Sequence, residues 1–294
     1  MNILSFDVGG TTIKAGLVNK DLEIQEKFTK DTPKNEESFI SLIEEIHKVR
    51  TDKCDKVSFG MPGFVDRDNY VFKYGTNMKF SIDFKKLEFF DEKKIYIEND
   101  GNLAAYSEFV LNLSDKYKNV IMLTFGTGIG GGIITDSKIY KGGGNAGEIG
   151  HILIKENSNL EDIISAKAWT SKCNDLYQQN KNSELSERFK EKKVGSLLFD
   201  QSINLEDNEK HERDEIIKYT SRGLISLFEL FDNELFVIGG SMTQNPYDFL
   251  SLIKEYIKLN FEFPSRAFPE IILSKSRADA GLLGSALLAL NSEK

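Results

Sequence analysis

Three polar side chains stand where they could do chemistry. Asp100 follows Asn99 at the end of the run Lys94-Ile95-Tyr96-Ile97-Glu98 and precedes Leu103-Ala104-Ala105-Tyr106, which places it between a strand and a helix. A carboxylate there can act as a general base, or it can simply cap the helix. Glu148 and His151 lie three residues apart in Gly142-Gly143-Gly144-Asn145-Ala146-Gly147-Glu148-Ile149-Gly150-His151. Pliant backbone around two hydrogen-bonding groups suits a polyhydroxylated ligand, although the pair could also bond only to each other. The presence of this second polar set favours the catalytic reading of Asp100.

Two glycine turns supply a place for phosphate. Met122 to Ile134 runs as an apolar segment, the turn Gly126-Thr127-Gly128, and another apolar segment containing Gly130, Gly131 and Gly132. Strand, loop and strand are the reading, with backbone N–H groups free to approach an anion because no Cβ intervenes. Leu4 to Val18 repeats that grammar around Gly9 and Gly10, and Leu4-Ser5-Phe6 aligns with Leu123-Thr124-Phe125. A duplicated unit, each copy opening one half of the chain, implies a nucleotide held between two phosphate loops. A third turn, Gly239-Gly240-Ser241, ends the apolar run Leu235-Phe236-Val237-Ile238, and strand ends of this kind in open α/β sheets hold base and ribose.

Several residues admit two readings. The turn Gly60-Met61-Pro62-Gly63 is a sugar-side loop or a tight reversal, and Asn77 offers an amide to a hydroxyl or serves turn chemistry. Glu161 falls in the acidic first turn of a helix beginning near Leu160, favoured there by the helix dipole whether or not it binds anything. His47 reads as an exposed helix residue, and His211 receives no role.

The elements that must position these groups are those of an α/β protein. Residues 2–8 and 13–18 form a hairpin and 22–28 a further strand. Phe39, Ile40, Leu42, Ile43 and Ile46 mark a helix capped by Asn35. Residues from about 175 to 214 read as polar surface helices, Ile216 to Phe231 as an amphipathic helix, and Gly281 to Leu290 as a buried C-terminal helix. With 294 residues the chain is long enough for two domains. Lys and Arg total 38 against 46 Asp and Glu, a formal charge of −8, so bulk attraction to nucleic acid or anionic lipid is not expected. Two cysteines without a Cys-x-x-Cys pair fit a reducing cytosol, and the interrupted N-terminal apolar run does not suit a signal peptide.

Taken together, Asp-Val-Gly-Gly-Thr-Thr at 7–12, Glu-Asn-Asp at 98–100, Thr-Phe-Gly-Thr-Gly-Ile-Gly-Gly-Gly at 124–132, Gly-Glu-Ile-Gly-His at 147–151 and Val-Ile-Gly-Gly-Ser at 237–241 resemble the ROK family. The name denotes repressors, open reading frames and sugar kinases within the actin-like ATPase superfamily, and the likeness runs nearly end to end. The resemblance implies two related actin-like, ribonuclease H-like domains with a ligand cleft between them. The smaller would comprise residues 1–112 completed by the helix 280–294, and the larger residues 113–279. It implies ATP with Mg²⁺ as cofactors and a small-molecule sugar as substrate. Asp7 would lie near Mg²⁺ through water, with Gly9, Gly10, Thr11, Thr12 and Lys14 near the phosphates. Gly126, Thr127 and Gly128 would complete the phosphate cradle, and Gly239, Gly240 and Ser241 would lie near adenosine. Asn99, Asp100, Glu148, His151 and Glu161 match sugar-contacting positions, Gly60 and Asn77 join them on the sugar side, and Asp100 matches the general base.

The chain also departs from that pattern. Family kinases commonly carry a zinc site built from the histidine of the Gly-His motif and a following Cys-x-Cys-Gly cluster. Here Lys155-Glu156-Asn157-Ser158-Asn159 stands in that region, so no zinc is expected. Family repressors place a helix-turn-helix before the Asp-x-Gly-Gly-Thr motif, for which Asp7 leaves no room, and the net charge also disfavours a DNA-binding regulator. Cysteine-free members that keep Gly-Glu-Ile-Gly-His look most like N-acetylmannosamine kinases, with glucokinase as the runner-up. Homodimerisation is common among relatives, and the residues do not decide it.

Overall fold

A computed structural model describes residues 1–75, 78–90, 93–240, 248–262, 266–276 and 279–292, so Asn77 and Ser241 lie outside the described residues. Its first half contains β1 (Asn2–Val8), β2 (Thr12–Asn19), β3 (Ile24–Asp31), α1 (Glu36–Lys48), β4 (Lys56–Met61), β5 (Phe64–Asp66), β6 (Val71–Tyr74), β7 (Ile82–Asp83), β8 (Lys94–Asn99) and α2 (Asp100–Asn112). The sheet order is β3-β2-β1-β4-β8, an antiparallel meander to which β4 and β8 add in parallel with β1. Leu4, Phe6 and Val8 share one core with Phe39, Ile43 and Ile46 of α1. The Asn35 side chain accepts from the Ser38 N–H and starts that helix as its cap. His47 is buried, contrary to the expected exposure. It continues the 39, 43, 46 stripe, and its ring packs nearly perpendicular to that of Phe90 with the centroids 5.0 Å apart.

The second half contains β9 (Val120–Phe125), β10 (Ile129–Thr135), β11 (Lys138–Ile139), β12 (Leu153–Lys155), β13 (Ser158–Asn159), α3 (Leu160–Ile164), α4 (Ala166–Gln179), α5 (Glu184–Lys192), α6 (Asp207–Phe231), β14 (Leu235–Gly240), α7 (Phe249–Asn260), β15 (Glu270–Leu273) and α8 (Ala280–Asn291). Its sheet, β11-β10-β9-β14-β15, repeats the first in strand order and direction, with β14 and β15 parallel to β9. The expected polar segment is more structural than its composition implies. Cys173, Leu176, Leu185 and Phe189 reach the core from i, i+3 and i, i+4 positions, and α6 begins nine residues earlier than the apolar stripe, at Asp207.

Helices α2 and α8 lie between the two sheets. On one side α2 presses against β10 so closely that a Cβ on Gly132 would stand 2.5 Å from the Ala105 Cβ. A Cβ on Gly101 would stand 2.6 Å from the Gly131 oxygen. Gly131 and Gly132 therefore serve helix packing. On the other side, Leu282, Ala286 and Ala289 of α8 bury against Ile3 and Val18 of the first sheet, and the Ser5 hydroxyl donates to the Leu282 carbonyl at 2.6 Å. By this packing α2 delivers Asp100, and α8 delivers its first turn, to the gap between the sheets.

Candidate active site

A cleft of about 490 Å³ opens where the ends of β1, β9 and β14 meet the first turns of α2 and α8. Asp7, Lys14, Asp100, Gly126, Gly128, Glu148, His151, Glu161 and Gly240 line it together, although they are up to 233 residues apart in sequence. Thr11 and Thr12 are exposed beside the first turn, and Thr127 is exposed at the tip of the second. Gly9, Gly10, Thr11, Thr12, Thr127, Gly239, Gly60 and Asn99 do not belong to the lining.

Asn99 is occupied by local structure. Its side-chain oxygen accepts from the Asn102 N–H at 3.1 Å as the cap of α2, and its amide donates to the Gly63 carbonyl at 3.2 Å. The capping duty that composition alone offered to Asp100 therefore falls to Asn99. Gly60 sits behind the base of α2, where a Cβ would meet Leu103 at 3.0 Å and the Asp100 Cα at 3.9 Å.

Asp100 is thereby left facing the cleft from the first residue of α2. Burial, reinforced by the charges of Asp7 and Glu148, raises its carboxyl to about 7, while the Gly101 N–H donating to Oδ1 at 2.9 Å opposes the shift. Burial also raises the carboxyl of Asp7, against the pull of Lys14, whose ammonium is 3.7 Å away and whose residue pairs with Asp7 across the β1–β2 ladder. Gly281, in the first turn of α8, lies against that carboxyl group: a Cβ there would be 2.5 Å from Cγ and Oδ1 of Asp7. Sequence reasoning missed Gly281, although a glycine opening an otherwise apolar helix was a usable signal.

The second glycine turn is closed by two backbone hydrogen bonds and one side chain. Gly126 N–H donates to the Gly128 carbonyl at 2.9 Å, the Ala166 N–H donates to the Gly126 carbonyl at 3.0 Å, and the Ile129 N–H donates to Glu161 Oε2 at 2.7 Å. Absence of a side chain at Gly128 makes the last bond possible, because a Cβ there would lie 2.3 Å from Glu161 Oε2. Asn159 and Asp162 form a capping box that starts α3 and presents Glu161. Glu148 precedes a single tight turn that carries His151, and its carboxyl is raised by burial and by Glu161, with His151 opposing.

On the opposite wall, Gly240 ends β14 at φ 83°, close against Phe125. Ser274 and Ser276 join the lining there, and the sequence did not single them out. Both are held by Glu108, a buried residue two turns beyond Asp100 on α2, which accepts from the Ser274 hydroxyl at 2.6 Å and from the Lys275 and Ser276 N–H groups at 3.1 and 2.7 Å. Burial alone would raise this carboxyl; the hydrogen bonds outweigh it and hold it below the usual carboxylate range.

The ROK family profile matches residues 3–292. The chain belongs to the ROK family. Glucokinase of Thermotoga maritima is 27% identical over 309 residues, covering 97% of this chain and 96% of that protein. N-acetylmannosamine kinase of Haemophilus influenzae strain KW20 is 27% identical over 307 residues, covering 97% and 94%. A ROK glucokinase from Streptomyces griseus, solved with glucose and AMPPNP, superposes with a TM-score of 0.78 at 23% identity over 98% of this chain and 99% of that one. The fold is thus the actin-like two-domain arrangement of ROK proteins, as the motifs implied.

The stretch after His151 in this ROK chain is a short hairpin. β12 and β13 turn at Asn157, in the left-handed region at φ 60°, and the Leu160 N–H closes back on the Ile152 carbonyl at 2.8 Å. Cys173 is buried in the second core and Cys54 in the first. Among the described residues no helix is long and apolar enough to cross a membrane.

Proposed function

We propose that this ROK protein is an ATP-dependent sugar kinase that phosphorylates the 6-hydroxyl of a hexose or N-acetylhexosamine, with N-acetylmannosamine the foremost substrate and glucose the second. The observation that carries the reading is the cleft itself. Its lining brings together a carboxylate of raised affinity for protons, Glu148, His151 and Glu161 with Asp7, Lys14 and glycines of two turns. Relatives named for both sugars match nearly the whole chain at the same 27% identity, so the choice between the two rests on the cysteine-free Gly-Glu-Ile-Gly-His pattern.

A sugar hydroxyl is a weak nucleophile at neutral pH. Asp100 accepts a hydrogen bond from it, orients the oxygen for in-line attack on the γ-phosphorus and takes the proton as the O–P bond forms and ADP leaves. Most of the acceleration comes from this positioning and from neutralising charge on the phosphates. Glu148, His151 and Glu161 hold the remaining hydroxyls, while the backbone of Gly126, Gly128 and Gly240 admits the nucleotide. Asp7 fits Mg²⁺, because a buried carboxylate beside a single lysine offers a hard oxygen ligand. Among the described residues no group of three or more side chains could hold a metal by itself, which suits a cation brought in on the triphosphate. When bound, the ion neutralises charge on the phosphates.

The test is an ADP-release assay with glucose, mannose, fructose, N-acetylglucosamine and N-acetylmannosamine. Turnover is expected with N-acetylmannosamine first, and turnover with none of the five would overturn the reading.

A further inference from the structure

The geometry points to Arg67 as a positioning residue that joins the two sugar-side walls of the cleft, a role that deepens the kinase reading and rests on it. Arg67 follows β5, in the small antiparallel sheet β5-β6-β7 on the rim of the first half. Its side chain is only 12% exposed, and its guanidinium works in two directions. Nε and Nη2 donate to the two carboxylate oxygens of Glu98, and Nη1 donates to the carbonyl of Gly144.

Glu98 is fully buried at the end of β8, two residues before Asp100. It also accepts from the Asn102 amide at 3.0 Å and from the Asn99 N–H at 2.9 Å. The carboxylate therefore anchors the first turn of α2 from beneath, and Arg67 is the cation that makes its burial tolerable. On the other side, Gly144 belongs to the glycine loop that leads into Glu148. The neighbouring Asn145 side chain accepts from the Val65 N–H at 3.2 Å, giving the same rim strand a second hold on the same loop. A loop with Gly142, Gly144 and Gly147 all at positive φ has little stiffness of its own. Clasped at two points, it keeps Glu148 at a set distance from Asp100, although the two residues come from different halves of the chain.

Arg67 is not part of the cleft lining, and its hydrogen bonds run to Glu98 and Gly144 rather than to Asp7, Lys14 or Gly240. Loosening the clasp should therefore weaken sugar handling and spare the nucleotide. A residue that merely stabilised the fold would lower the melting temperature without separating the two substrates.

The experiment measures KM for ATP and for the best sugar in the panel, together with kcat and the melting temperature, in the full chain. Arg67→Lys keeps the charge but cannot reach Glu98 in bidentate fashion and Gly144 at once. It is expected to raise the sugar KM roughly tenfold with the ATP KM within about twofold of wild type. Asn145→Ala, which leaves the buried ion pair intact, is expected to raise the sugar KM by roughly threefold in the same selective way. An unmoved sugar KM in either folded variant, or equal rises in both KM values, would overturn the role. Should Arg67→Lys fail to fold, the Asn145→Ala result decides alone. A wild-type kinase with unmoved variants refutes the clasp only, whereas wild-type inactivity on every sugar removes the kinase reading together with it.

Discussion

The two halves of the molecule have the same sheet and contribute different things to the cleft. Both run a strand into a glycine turn and back along an antiparallel partner, and both add two further parallel strands. In the first half the strand ends deliver carboxylates whose proton affinity burial has raised, Asp7 from β1 and Asp100 after β8. In the second half the turn is braced from within, since one oxygen of Glu161 takes the Ile129 N–H and the Ala166 N–H closes on the Gly126 carbonyl. Duplication of a fold thus need not duplicate its chemistry. In the proposed mechanism the first half supplies the groups that react or hold a cation, and the second supplies groups that hold and orient.

That division predicts which kinetic constant each substitution moves. Asp100→Asn keeps the size of the side chain and removes the base. It should lower kcat by roughly 10²–10⁴-fold while titration calorimetry still shows the sugar binding. Lost binding with intact turnover would assign Asp100 to the holding side and break the comparison. Gly281→Ala should come next. Its Cβ would fall 2.5 Å from the Asp7 carboxyl, so either that carboxyl or the first turn of α8 must move, raising the ATP KM by roughly tenfold or more. An unchanged ATP KM would show that Asp7 does not serve the nucleotide.

A finer contrast lies within the second turn. Among the described residues, a Cβ on Gly126 would have the Gly128 oxygen at 3.9 Å as its one near neighbour, whereas a Cβ on Gly128 would displace the Glu161 carboxylate. Gly128→Ala should therefore raise the sugar KM by roughly fivefold and Gly126→Ala leave it nearly unchanged. Equal effects would mean that Glu161 does not hold sugar. The smallest expected effect is on stability alone, at Glu108. Its carboxyl is held below the usual range, so its contribution is present above the unfolded-state pKa and is lost as pH falls through the folded value. Glu108→Gln should cost about 1–3 kcal/mol at pH 7 by thermal denaturation, with the gap to wild type closing as pH falls below 4.5.

Much of the local structure was legible in the sequence because local chemistry sets it. Glycine runs interrupt apolar runs at both turns, Asn35 caps α1 three residues before Ser38, and Asp100 falls where a strand gives way to a helix. What stayed hidden depends on residues far apart in the chain. Gly281 matters because α8 returns to the first sheet and sets its first turn on Asp7, an encounter across more than 270 residues. Glu108 and Ser274 meet across 166 residues, and Arg67 reaches Gly144 across 77. No periodicity encodes such pairings. The packing of α2 on β10 was hidden in the same way, since Gly101 and Gly132 meet across 31 residues.

The central claim, that Asp100 takes the proton of the sugar hydroxyl, is tested most directly by the pH dependence of kcat/KM for the sugar. The reactive form is the carboxylate. With its carboxyl at about 7 in the free enzyme, kcat/KM should fall about tenfold per pH unit below that point. Glu148→Gln, which removes a charge that raises Asp100, should move the acid limb to lower pH. A profile that stays flat from pH 5 to 8 in the wild type, or an acid limb that Glu148→Gln leaves in place, would contradict the account.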